Sequence, residues 1–145
     1  MSSSPPSRSA LRFQWRAHKL IWRLSGGRLG RKVSGLPVLE LTTTGRKSGE
    51  PRMILIWHLT DPGGPIIAGT NAGADYDPAW VKNLRANPAA RMRLGGTVTD
   101  VTAKFLEGPA HEAAWSRFLE ADPTFGEYAK RLTRPVPLVQ LVPTD

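Results

Sequence analysis

The chain has 145 residues, 40% of them hydrophobic and 22% charged, a size and mixture that suit one soluble domain with one buried core. It has no cysteine and three widely spaced histidines, His18, His58 and His111, which excludes disulfides, thiolate metal sites and a cysteine nucleophile and gives no basis for a metal centre. A formal net charge of +8, with Lys and Arg concentrated in residues 8–52, calls for an anionic partner: phosphate, nucleic acid or lipid headgroups.

The opening residues 1–9 are rich in Ser and Pro and read as a disordered tail, leaving residues 10–145 as a single domain. No apolar run of about 7–15 residues with a cleavage site follows, so cytoplasm is the expected compartment. Residues 10–24 carry a helical period in which Arg12, Arg16, Lys19 and Arg23 form a narrow stripe and apolar residues the rest. This basic amphipathic helix either docks on the domain or lies on an anionic membrane surface with Trp15 and Trp22 at the interface.

From Pro37 the pattern becomes that of strands. Val38 to Thr44 and Arg52 to Leu59 flank a turn over Gly45 to Gly49, and Asp61-Pro62-Gly63-Gly64 leads to a short strand over Pro65 to Gly69, which predicts a three-stranded meander. Asp77 is expected to cap a helix that opens on Pro78 and runs to Arg85. Strands over Ala89 to Leu94 and Val98 to Leu106 follow, and then a helix from Pro109 to Glu120 that offers Ala113, Trp115, Phe118 and Leu119 to a core. A short helical segment near Thr124 to Leu132 and a strand over Val136 to Val142 complete an α+β chain with a mostly antiparallel sheet or barrel.

The segment richest in chemistry is Thr42-Thr43-Thr44-Gly45-Arg46-Lys47-Ser48-Gly49-Glu50-Pro51-Arg52. A strand end followed by a glycine-bracketed turn exposes backbone N–H groups, and Arg46, Lys47 and Arg52 add cationic donors around the Ser48 hydroxyl. Such a turn suits either a phosphate or plain solvent; neither a Walker A spacing nor a GxGxxG motif is present. This run, with the RLSGGRLGRKVSGLPVLEL that precedes it and the NAGADYDPAW segment that follows, resembles the deazaflavin-dependent nitroreductase family, whose members use coenzyme F420. The resemblance covers about residues 15–142. It implies a split β-barrel like that of FMN-binding proteins and the pyridoxamine-phosphate-oxidase-like group, with helices inserted between strands.

By that resemblance the coenzyme phosphate falls to Arg46, Lys47, Ser48 and Arg52. The deazaflavin ring is implied along the second and third strands, near Leu55 and Trp57 and near Ala68 and Thr70, with Pro78, Ala79, Trp80 and Asn83 closing the pocket. Asn71-Ala72-Gly73 stands where relatives often carry Lys-Gly-Gly, which puts Asn71 beside the coenzyme. On the acceptor side, where relatives use several tyrosines, this chain has Phe125 and Tyr128 with Asp122.

A deazaflavin carries its own hydride, so the protein needs only to bind, orient and stabilise developing charge, and no catalytic triad is required. Tyr128 and His58 are the candidate proton donors, each with packing as its competing explanation. The expected function is therefore an F420H2-dependent reductase of quinones, nitroaromatics or electron-poor conjugated alkenes, with a possible homodimer. The alternatives are an FMN oxidoreductase on the same barrel and, more distantly, a basic module that binds anionic lipid or nucleic acid. The strands present no basic face interleaved with stacking aromatics, which argues against nucleic acid.

Overall fold

The computed structural model describes residues 32–33 and 36–144; the predicted tail 1–9 and the helix over 10–24 lie outside the described residues. The elements are β1 (Lys32–Val33), β2 (Leu36–Thr44), β3 (Pro51–Trp57), β4 (Ile66–Ala68), a 3-10 turn (Asn71–Gly73), α1 (Ala79–Ala86), β5 (Ala89–Leu94), β6 (Thr97–Phe105), α2 (Gly108–Ala121), α3 (Thr124–Lys130) and β7 (Leu138–Pro143).

All ladders are antiparallel, and β3, β2, β5, β6, β7 and β4 lie side by side in that order. The sheet curls back on itself, and its two ends meet at one bridge, Leu59 to Ile66, with N–H···O distances of 2.9 and 3.0 Å. The result is the split barrel that the sequence resemblance implied. The predicted meander is corrected here. β2 and β3 pair over seven residues, but β4 takes its ladder from β7, far along the chain, and is bridged to the end of the predicted second strand only at Leu59. The physical reason is edge closure: pairing β4 with β7 satisfies backbone groups that a simple meander would leave on two open edges.

Period-two alternation sorts the apolar residues into an inside and an outside. Every strand from β2 to β7 contributes to the interior cluster, through Leu39, Leu41, Ile56, Ile67, Met92, Val101, Val139 and Leu141, and α1 adds Trp80, Val81 and Leu84. The outer cluster gathers Ile66, Ala68 and Leu138 under Ala114 and Phe118 of α2 and Phe125 of α3. On α2 the buried residues are Ala114 and Phe118, one turn apart, with Trp115 and Leu119 partly buried; Ala113, expected to face the core, points to solvent. At 100° per residue the helix can bury 114 and 118 together only by turning 113 away.

Asp77 does not cap α1. Pro78 occupies the cap position in extended conformation and no side chain caps the helix. Asp77 is thereby one residue too early, and its carboxylate pairs with the Arg134 guanidinium at 3.0 Å.

Candidate functional site

The β2–β3 hairpin ends in a turn closed by Gly45 N–H to the Glu50 carbonyl and Gly49 N–H to the Gly45 carbonyl, both 2.8 Å. A Cβ on Gly45 would lie 2.7 Å from Ser48 Oγ, so a side chain there would push the hydroxyl out of the turn. Ser48 Oγ accepts from the Glu50 backbone N–H at 3.1 Å and from Arg52 Nη2 at 3.4 Å, which holds the Arg52 guanidinium toward the turn. Beside it, Asn83 on α1 is almost wholly buried, at 3% exposure. Its Oδ1 accepts from both the backbone N–H and Nη1 of Arg46, each at 3.1 Å, while its Nδ2 donates to Thr43 Oγ1 at 3.1 Å. One buried amide therefore ties helix, strand and basic turn together, with three of its bonds to protein satisfied.

Between the turn and α1 lies a cavity of about 480 Å³, within the usual range for a small-molecule site. It is lined by Arg46, Lys47, Ser48 and Arg52 together with the apolar side chains of Met53, Ile54, Ala79 and Trp80; Thr43, Gly45, Pro51 and Asn83 complete the wall. None of these lining residues is acidic, so three cations converge with nothing in the wall to neutralise them. The cations suit an anionic group and the apolar side chains suit a flat ring. A phosphorylated deazaflavin has both parts, and the residues present fit it.

Of the site residues expected from the sequence, Arg46, Lys47, Ser48, Arg52, Ala79, Trp80 and Asn83 come together in this wall. The others lie elsewhere. Leu55 is fully buried against Val38. Trp57 stands edge-on to Phe125, ring centres 6.5 Å apart. Ala68 belongs to the outer cluster, and Pro78 is the buried cap residue of α1. His58 is 2% exposed and donates its backbone N–H to Pro37.

Thr70 and Asn71 sit in the loop that joins β4 to α1. This loop makes a left-handed turn, with φ of 51° at Asn71, 53° at Ala72 and 86° at Gly73. Only glycine adopts that conformation freely; each non-glycine residue costs about 1–2 kcal/mol. Asn71 Nδ2 donates to the Tyr76 carbonyl at 3.2 Å, a local bond that partly offsets its cost.

Tyr128, on α3, packs edge-on to Phe125 with ring centres 6.4 Å apart. Burial pushes its phenol up, with Asp122 adding to the effect and Arg131 opposing it, so it holds its proton at neutral pH. Among the described residues, no group of three His, Asp or Glu side chains converges as a metal site would need.

The sequence reading missed Thr43, Met53 and Ile54 as wall residues. A signal was available for Thr43, which continues the inward alternation of Leu39 and Leu41, whereas Met53 and Ile54 are placed only by the hairpin register, opposite Thr42 and Leu41.

Comparison with known proteins bears on this geometry. Residues 14–143 match the F420H(2)-dependent quinone reductase family. An F420H(2)-dependent quinone reductase of Mycobacterium tuberculosis (strain ATCC 25618 / H37Rv) is 32% identical over 130 residues, 87% of each chain. The solved structure of an F420-H2 dependent reductase, FDR-A, superposes with a TM-score of 0.67 at 32% identity, over 72% of this chain and 93% of that one. A second solved structure, described only as a domain-swapped dimer, gives a TM-score of 0.69 at 29% identity, over 90% of this chain and 96% of that one. On sequence and fold together, the chain belongs to the F420H(2)-dependent quinone reductase family, an oxidoreductase family whose cofactor is the deazaflavin F420.

Proposed function

We infer that this chain binds F420 in the cavity between the basic turn and α1, phosphate on Arg46, Lys47 and Arg52, and reduces quinones with its hydride. The observation that carries the reading is that one cavity combines the cations Arg46, Lys47 and Arg52 with the apolar side chains of Met53, Ile54 and Trp80. Quinone as acceptor is supported by the names of the family and of the Mycobacterium tuberculosis relative. Bound there, the reduced deazaflavin supplies a hydride. The chain's own part is to fix the coenzyme by its anionic end and to orient its ring against the apolar side chains. Nitroaromatics and electron-poor conjugated alkenes share the electron deficiency of quinones and belong to the same proposal.

Hydride addition to a quinone needs one proton to give the hydroquinone. The cavity wall holds no carboxylate, imidazole or phenol, so solvent is the donor within it. Tyr128 is a donor only for an acceptor that reaches α3. Replacing Tyr128 by Phe distinguishes these: turnover with a small benzoquinone is expected to stay within about twofold, and a drop of tenfold or more assigns the proton to Tyr128.

Titrating the protein with oxidised F420 and, separately, with FMN tests the cofactor assignment. Oxidation of F420H2 by a quinone, a nitroaromatic and a conjugated enone then ranks the acceptors, and quinone turnover at background rate would overturn the reading.

A homodimer is supported by the structural neighbour described as a domain-swapped dimer. Peripheral contact with the inner face of a membrane through residues 10–24 is a further proposal, drawn from the basic stripe in the sequence. Co-sedimentation of full-length and truncated protein with anionic vesicles at low and high salt tests it.

A further inference from the structure

The left-handed turn at Asn71–Gly73 is held by residues from far along the chain. Arg134 donates Nη1 to Asp77 Oδ1 at 3.0 Å and Nη2 to the carbonyls of Thr70 at 3.4 Å and Ala74 at 3.3 Å. Its side chain is only 15% exposed. One residue earlier, Thr133 donates its N–H and hydroxyl to the two oxygens of Asp75, at 2.9 and 2.7 Å. Arg131 lies against Gly73, where an added Cβ would come within 3.1 Å of its Cδ. Three residues between 131 and 134 thus grip both ends and the middle of the loop.

That loop runs directly into Pro78, Ala79 and Trp80, and α1 then carries Asn83, the brace of Arg46. The cavity wall therefore depends on where the loop leaves the N-terminus of α1. A guanidinium suits this task better than an ammonium, because its two terminal nitrogens reach three acceptors from one rigid fork.

We propose that Arg134 is a positioning residue for the coenzyme site: it pins the strained loop and so sets α1 and Asn83 against the basic turn. This rests on the placement of F420 in the cavity.

The turn at Asp61 to Gly64 provides a matched control. There Arg117 donates to Asp61 Oδ1 at 3.0 Å and to the Thr60 carbonyl, in the same manner as Arg134, yet neither Thr60 nor Asp61 lines the cavity.

The experiment measures the Kd for oxidised F420 and the melting temperature of the wild type, Arg134→Gln, Arg134→Lys, Arg117→Gln and Lys47→Ala. Arg134→Gln is expected to raise Kd about tenfold, Arg134→Lys by less, and Arg117→Gln not at all, although both glutamine variants melt lower. If Arg134→Gln does not fold, Arg134→Lys decides by the same criterion. An unchanged Kd in the Arg134 variants beside a raised Kd in Lys47→Ala overturns the inference and leaves the placement standing. Equal rises in the two glutamine variants reduce Arg134 to a stabilising residue and also overturn it. An unchanged Kd in Lys47→Ala overturns the placement, and the inference with it.

Discussion

On β4 and β7, Ile67, Val139 and Leu141 turn into the barrel to meet Trp80, while their neighbours Ile66, Ala68 and Leu138 turn outward to meet Phe118 and Phe125. The same strands thus build two clusters of similar composition with different neighbours. The interior cluster reaches the cavity, because Trp80 belongs to both, and its polar edge is the Thr43, Asn83 and Arg46 chain. The outer cluster shares no residue with the cavity wall. Substitutions in the two clusters should therefore separate folding from binding, a separation that a single undivided core would not allow.

The largest effect is expected in the outer cluster. Phe118 has no exposed surface and stacks at 5.0 Å on Phe125, so Phe118→Ala should lower stability by about 3–5 kcal/mol. Coenzyme affinity in the folded fraction should stay at the wild-type value. Denaturant unfolding combined with F420 titration checks both, and a matching loss of affinity would erase the distinction between the clusters.

Asn83→Ala probes the boundary of the interior cluster. It strands Thr43 Oγ1, itself buried at 2% exposure, and releases Arg46. A stability loss of about 1–3 kcal/mol is expected, this time together with weaker coenzyme binding. Full affinity in this variant would mean that the turn needs no brace.

The smallest effect concerns two exposed carboxylates that tie the surface loops. Bonds from the Thr133 hydroxyl and then its N–H hold Asp75 below its ordinary pKa, and the Gly63 N–H, followed by Arg117 and Gln140, does so for Asp61. A depressed folded-state pKa means stability that is present above the ordinary carboxylate value near 4 and is lost as pH falls through the folded value. The melting difference between the wild type and Asp75→Asn should be visible at about pH 7 and vanish near pH 2. A difference that persists in acid would show that Asp75 does not act through its charge.

Strands and helices were legible in the sequence because alternation and punctuation are local: the runs over 38–44, 89–94 and 124–132 stand close to where they were read. The basic turn was legible too, since its glycines and cations are contiguous. What escaped was long-range. Nothing near β4 says that it will pair with β7, and nothing near Asp77 says that Arg134 will take its carboxylate from the helix cap. The left-handed turn at Asn71 and Ala72 was hidden for the same reason, because residues from 131 to 134 hold it and no local glycine signal marks its first two positions. In the site, charged residues were found and the apolar wall of Met53 and Ile54 was not, since a wall residue and a core residue look alike until the register is known.

The cations of this cavity are proposed to hold the coenzyme phosphate. Lys47 tests this most directly, because it lines the cavity, is exposed and has no place in either apolar cluster. Spectroscopic titration of oxidised F420 into the wild type and Lys47→Ala at low and high salt should show affinity weakened by about 1.5–3 kcal/mol in the variant. The salt dependence should be shallower and the melting temperature unchanged. Equal dissociation constants for the two proteins at low salt would contradict the account.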